Sequence, residues 1–293
     1  MSPRFGRVIT AMVTPFDDKG ALDLDAAATL AGWLVETGSD GLVLCGTTGE
    51  SPVLSDSEEV ALTKVVREAV SVPILLGTGS NDTAYAVQAT RRAAALGVDG
   101  VLVVSPYYNR PSQAGLDAHF RSVAAATELP VVLYDVPVRT GRKVSTEVLV
   151  RLVTEVPNIV AVKDAAGNPV AAARLVAALP GDFELYSGDD ALTLPLLAVG
   201  AVGVISVASH WAGRQMGELV AAYEKGDVAT ARRVNAGLLA SYDYEASDEA
   251  PNPIPTKAIL RVLGLKVGQC RPPLGKAPEG LEERARAVLD ALS

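Results

Sequence analysis

Lys163 closes an apolar run, residues 159–162 of the stretch NIVAVKDAAG. Burying an ammonium without a partner is costly, and a buried lysine responds by lowering its pKa. Such a lysine either snorkels to solvent or is held neutral as a nucleophile. Other polar residues cluster in short turns: GTTGES (46–51), SPYYNRPSQ (105–113), LYDVPVRTG (133–141) and SGDD (187–190). Together they supply the parts for Schiff-base chemistry on a 2-oxo acid. A neutral amine attacks the ketone, and the imine acts as an electron sink. Tyrosine and threonine hydroxyls relay protons. The N–H groups of a Gly-Thr-Thr-Gly turn and a threonine hydroxyl suit the carboxylate. Arginine suits a second acidic substrate because its fork matches a carboxylate. Each residue also has a plainer use: packing for Tyr107, Tyr108 and Tyr134, a turn for GTTGES, a surface cation for Arg139.

The elements that must position these residues follow from periodicity. Eight short apolar or β-branched runs (7–14, 41–44, 73–77, 100–104, 130–134, 159–163, 183–186 and 202–206) alternate with amphipathic segments such as 25–36, 57–70, 82–96 and 112–127. Several of those segments open on Ser or Asp, as helix N-caps do. The texts TGSDGLVL, LGVDGVLV and VGAVGVIS repeat a G-x-x-G junction between helix and strand, with glycine free to take the left-handed cap. Continuous apolar strands are covered on both faces, as in parallel sheets. The pattern predicts an α/β fold, a (β/α)8 TIM barrel, over residues 1–224. The alternative, an open doubly wound sheet, wants G-x-G-x-x-G after the first strand, and VTPFDDKG is not that. Residues 225–293 are read as a C-terminal helical appendix packed on the barrel, with the Pro-rich EAPNPIPTK as a rigid connector. In such a barrel the chemistry sits at the C-terminal strand ends. The strand phasing, obtained without reference to the polar residues, brings all of them to that one rim.

Composition excludes several classes. Net charge is −8 over 293 residues, which disfavours nucleic acid and anionic membranes as partners. No apolar stretch approaches the ~20 residues that span a bilayer, and the start lacks a signal-peptide core. Cys45 and Cys270 follow no redox or metal spacing, and His119 and His210 no ligand pattern. The expectation is a cytoplasmic protein with no metal and no cofactor. A Ser-His-Asp hydrolase is disfavoured because no G-x-S-x-G is present.

These motifs resemble the dihydrodipicolinate synthase family of pyruvate-dependent class I aldolases, from ITAMVTPFDDKG to PNPIPTKAIL. GTTGES and the strand-six lysine mark the superfamily; PYYNRPSQ with YDVPVRTG marks the synthases. The resemblance implies condensation of pyruvate with L-aspartate 4-semialdehyde, then cyclisation, in diaminopimelate and lysine biosynthesis. It implies Lys163 as the Schiff-base residue and Tyr134 as the proton carrier. Thr47 would link Tyr134 to Tyr108, the latter reaching in from a neighbouring subunit. Thr48 would hold the pyruvate carboxylate, Arg139 the aldehyde's carboxylate, and Gly188 and Ile205 the pocket wall. It implies a homo-oligomer, at least a dimer and usually a tetramer. Asp135 and Asp164 stand where many members carry Asn and Glu, and Ala250 where some carry Glu. Around the family's lysine-effector site (Ser51, Asp56, Glu59, Asn81, Tyr85, Tyr107), Asp56 and Glu59 replace histidines and Tyr85 a Glu, which implies weak or absent lysine inhibition. Two other functions remain open: a superfamily lyase acting on N-acetylneuraminate or a 2-keto-3-deoxy sugar acid, and a non-catalytic ligand-binding barrel.

Overall fold

The computed structural model describes residues 3–292. Eight strands follow one another in chain order around a closed parallel barrel: β1 (Val8–Ala11), β2 (Gly41–Leu44), β3 (Ile74–Gly77), β4 (Gly100–Val104), β5 (Val131–Asp135), β6 (Ile159–Asp164), β7 (Glu184–Ser187) and β8 (Gly203–Ser206). The helices are α1 (Leu24–Glu36), α2 (Asp56–Ala69), α3 (Thr83–Ala94), α4 (Gln113–Ala124), α5 (Pro137–Thr140), α6 (Thr146–Glu155), α7 (Pro169–Ala178), α8 (Thr193–Leu197), α9 (Ser209–Glu224), α10 (Val228–Tyr244), α11 (Ile254–Val262) and α12 (Leu281–Leu292). The expected barrel and the C-terminal helical part are both present. Among the described residues no helix is long and apolar enough to cross a membrane.

Local chemistry explains the element ends. Asp23, Ser55, Asp82 and Ser112 accept backbone N–H bonds as N-caps of α1 to α4, and Ser55 with Glu58 forms a full capping box. For α1 and α2 the cap lies two residues ahead of the acidic or serine residue expected from periodicity. The glycines that open the three repeated junctions, Gly38, Gly97 and Gly200, all have positive φ. They take the left-handed conformation that ends a helix without a Cβ penalty, and Gly41, Gly100 and Gly203 then start the strands.

The chain gathers into two compact units. One, Ile74–Ile205, holds β3 to β7, most of β8 and helices α3 to α8. In it β4 and β5 are largely apolar and buried, as their continuous hydrophobic runs require. Pairing of β5 with β6 contains a register shift. Val131 faces Ile159, Val132 faces Ala161, and from there Tyr134 faces Lys163. Val160 is the extra residue. Because side chains alternate with period two, this single insertion decides which face of β6 carries Lys163. Both strands run one residue beyond the expected ends, to Asp135 and Asp164. Asp135 tolerates this because Lys143 Nζ (2.8 Å) and the Val144 N–H (3.1 Å) satisfy its carboxylate.

The other unit, Phe5–Pro73 with the residues after Ile205, holds β1, β2, α1, α2 and α9 to α12. There α10 packs on α9 and α12, and α11 packs on α12.

Candidate active site

Lys163 sits near the end of β6 and is 5% exposed. Its Nζ lies 4.3 Å from the centroid of the Tyr134 ring, on the neighbouring strand. Tyr134 is itself buried. Burial pushes the Lys163 amine down to about 8; the charge of Asp190 opposes that shift and the charge of Arg139 adds to it. The result is an amine with a substantial neutral fraction near physiological pH, which a nucleophile needs.

Gly188, just after β7, is the residue against which the lysine stem lies. A Cβ there would come within 2.9 Å of Lys163 Cγ, 3.0 Å of its Cε and 3.0 Å of the Ala165 Cβ. Only glycine leaves room for the side chain to follow this path. Ile205 is buried on β8, and Arg139 is exposed on α5. Asp190, two residues after Gly188, is buried, and its charge acts on the amine. The motif SGDD contained it, but nothing in the spacing marked it as the residue acting on Lys163.

Tyr108 is not buried with Lys163 and Tyr134. It is 90% exposed with a left-handed backbone (φ 68°). A non-glycine residue in that conformation, presenting an aromatic ring to solvent, is uncommon.

The GTTGES turn follows β2 in the other unit. Thr48 is buried and Thr47 half-buried. The Thr48 hydroxyl accepts a bond from Asn252 Nδ2 at 3.0 Å. Glu50, in a left-handed conformation (φ 58°), turns its carboxylate inward. One oxygen pairs with Lys257 Nζ at 2.7 Å, the other accepts the Arg271 N–H at 2.8 Å. Sequence reasoning missed this anchoring. EAPNPIPTK reads in sequence as a rigid connector, with no contact to the turn expected, whereas Asn252 and Lys257 within it hold the turn. The available signal was Lys257, a second lysine in an apolar helical run, IPTKAIL.

Both buried lysines have depressed pKa values through burial, but their partners differ. Lys257 is committed to Glu50, to the Gln269 carbonyl and to the face of Phe16. Lys163 presents its amine to the Tyr134 ring. The first arrangement is a structural cross-link; the second leaves an amine of lowered proton affinity beside an aromatic ring.

Comparison with known proteins agrees with this geometry. The model of the dihydrodipicolinate synthetase family matches residues 4–292. A curated relative from Synechococcus sp. (strain CC9902), named 4-hydroxy-tetrahydrodipicolinate synthase, is 51% identical over 100% of this chain and 97% of its own. The Bacillus subtilis protein of the same name is 47% identical over 92% of this chain and 93% of its own. A crystal structure of DHDPS from Cyanidioschyzon merolae with lysine bound superimposes with a TM-score of 0.96 at 44% identity, covering 99% of each chain. Barrel, buried strand-end lysine and full-length similarity converge: the chain belongs to the dihydrodipicolinate synthetase family.

Proposed function

We propose that the chain is a lyase-class synthase that condenses pyruvate with L-aspartate 4-semialdehyde to 4-hydroxy-tetrahydrodipicolinate. The observation that carries this reading is the amine of Lys163, buried, lowered to about 8 and set against Tyr134. Neutral Lys163 attacks the pyruvate ketone; the new C–N bond forms, the carbonyl oxygen leaves as water, and an imine results. Tyr134 carries the protons of these steps, with Thr47 and, from a neighbouring subunit, Tyr108 completing the relay. Loss of a methyl proton then gives an enamine, whose carbon attacks the aldehyde. Cyclisation through the amino group of the semialdehyde releases Lys163. Thr48 holds the pyruvate carboxylate and Arg139 that of the semialdehyde, while Gly188 and Ile205 shape the pocket. The names of the full-length relatives support the choice of substrates, and Arg139 supports a small carboxylated aldehyde over a polyol.

Borohydride reduction with pyruvate, followed by mass spectrometry, should place a stable adduct on Lys163. Its absence would overturn the Schiff-base reading. Turnover on aspartate semialdehyde against a 2-keto-3-deoxy sugar acid then separates the synthase from other lyases of the superfamily. Weak inhibition by lysine belongs to the same reading. Because the Cyanidioschyzon merolae structure carries lysine, lysine is the effector to assay, and strong inhibition at submillimolar concentration would contradict the expectation drawn from Asp56, Glu59 and Tyr85.

A further inference from the structure

The stretch PNPIPTK grips the β2 turn at two points. Lys257 Nζ holds the Glu50 carboxylate at 2.7 Å, and Asn252 Nδ2 donates to Thr48 Oγ1 at 3.0 Å. The other end of the Asn252 amide is held as well: Thr256 Oγ1 donates to its Oδ1 at 3.1 Å. Thr48, Asn252, Thr256 and Lys257 are all buried, at 4%, 8%, 0% and 1% exposure. A hydroxyl has one hydrogen and two acceptor lone pairs. With an amide N–H filling one lone pair of Thr48 Oγ1, the hydroxyl's own hydrogen is not directed at Asn252 and must find another acceptor. A buried donor left without one is costly, and a carboxylate oxygen is an acceptor that would satisfy it.

We propose that Asn252 is a positioning residue that sets the polarity of the Thr48 hydroxyl, so that its hydrogen is offered to the carboxylate of a bound 2-oxo acid. The inference rests on the functional reading above, in which Thr48 holds that carboxylate. Asn252 acts through Thr48, and Thr256 fixes the Asn252 amide. The ion pair of Glu50 with Lys257 fixes the turn that carries Thr48.

The test is a double-mutant cycle read by pyruvate-dependent borohydride trapping on Lys163 and by KM for pyruvate. In Asn252→Asp the new side chain only accepts, so the Thr48 hydrogen turns toward it. Half-saturating pyruvate should rise by about tenfold, the loss expected for one hydrogen bond to a charged group. The effect should fall on KM for pyruvate rather than on kcat. Asn252→Leu removes the donor without adding charge and should give a smaller rise of the same kind, which serves if Asn252→Asp does not fold. The decisive comparison is in the Thr48→Val background, where adding either change at 252 should raise half-saturating pyruvate no further. If the 252 variants weaken pyruvate equally with and without the Thr48 hydroxyl, the effect is charge or packing and the inference is overturned. If the unmodified protein forms no pyruvate adduct, the functional reading falls and this inference with it. An adduct in the unmodified protein with an additive cycle overturns the inference alone.

Discussion

At the scale of single residues, burial lowers the proton affinity of one amine. The ordinary lysine value is 10.5, and in the folded protein Lys163 is lowered to about 8. The unfolded chain therefore binds the proton more tightly than the folded one. The penalty is full below about pH 8 and fades as pH rises toward the unfolded value. Its size is on the order of 3 kcal/mol. Lys163→Met should accordingly abolish adduct formation yet raise resistance to urea at pH 6 to 7, with the gain shrinking above about pH 8. Equal stability of the two proteins at pH 6 would refute a buried, depressed amine. The same pKa sets the rate: adduct formation should climb about tenfold per pH unit below 8 and level off above it, as stopped-flow measurement against pH would show. Gly188 offers an independent check. Gly188→Ala forces a methyl to within 2.9 Å of the lysine stem. Adduct formation should fall by about tenfold or more, as a misplacement of the reacting atom costs, while the circular dichroism spectrum stays that of the parent.

At the scale of elements, two devices hold the candidate residues, one in each compact unit. The first is the extra residue Val160, which brings Lys163 into register with Tyr134. The second is the buried pair of Glu50 and Lys257, with side chains 0% and 1% exposed. A buried ion pair adds little net stability, but losing one partner strands the other charge, at a cost of about 3 kcal/mol or more. Lys257→Met should therefore lower the thermal midpoint clearly, and combining it with Glu50→Gln should recover part of the loss. Calorimetry of the two variants checks this; a double variant as unstable as the sum of the singles would show that the pair does not act as a unit. The strands, the four leading helices and the glycine junctions were legible in the sequence because their signals are local: period, caps and breakers. The register shift and the grip of residues 252–257 on the turn were not, because each depends on a partner far away in the chain.

At the scale of the whole molecule, the closed barrel presents all eight strand ends in chain order, and Tyr108 is 90% exposed on a left-handed backbone. In the proposed reading this ring completes the relay of a second copy. The active form should then be at least a dimer by sedimentation, and specific activity should fall on dilution below the dissociation constant. Tyr108→Phe should reduce turnover by about a hundredfold, within the usual contribution of a proton-transfer group, without changing the sedimentation coefficient. A fully active monomer, or an indifferent Tyr108→Phe, would remove Tyr108 from the mechanism.

The sequence by itself determined the alternation of strand and helix, the placement of Lys163 at a strand end and its grouping with GTTGES, YDVPVRTG and PYYNRPSQ. These follow from hydrophobic period and turn chemistry, which act over a few residues. Only the tertiary structure decided which of two buried lysines is locked in an ion pair. Lys163 and Lys257 carry the same local signature, an amine in an apolar run. Both amines lie over an aromatic ring; Lys257 is told apart by its 2.7 Å ion pair with a carboxylate more than two hundred positions away. Burial makes both amines costly, and the partner that meets that cost is chosen by lateral packing, which no local pattern encodes.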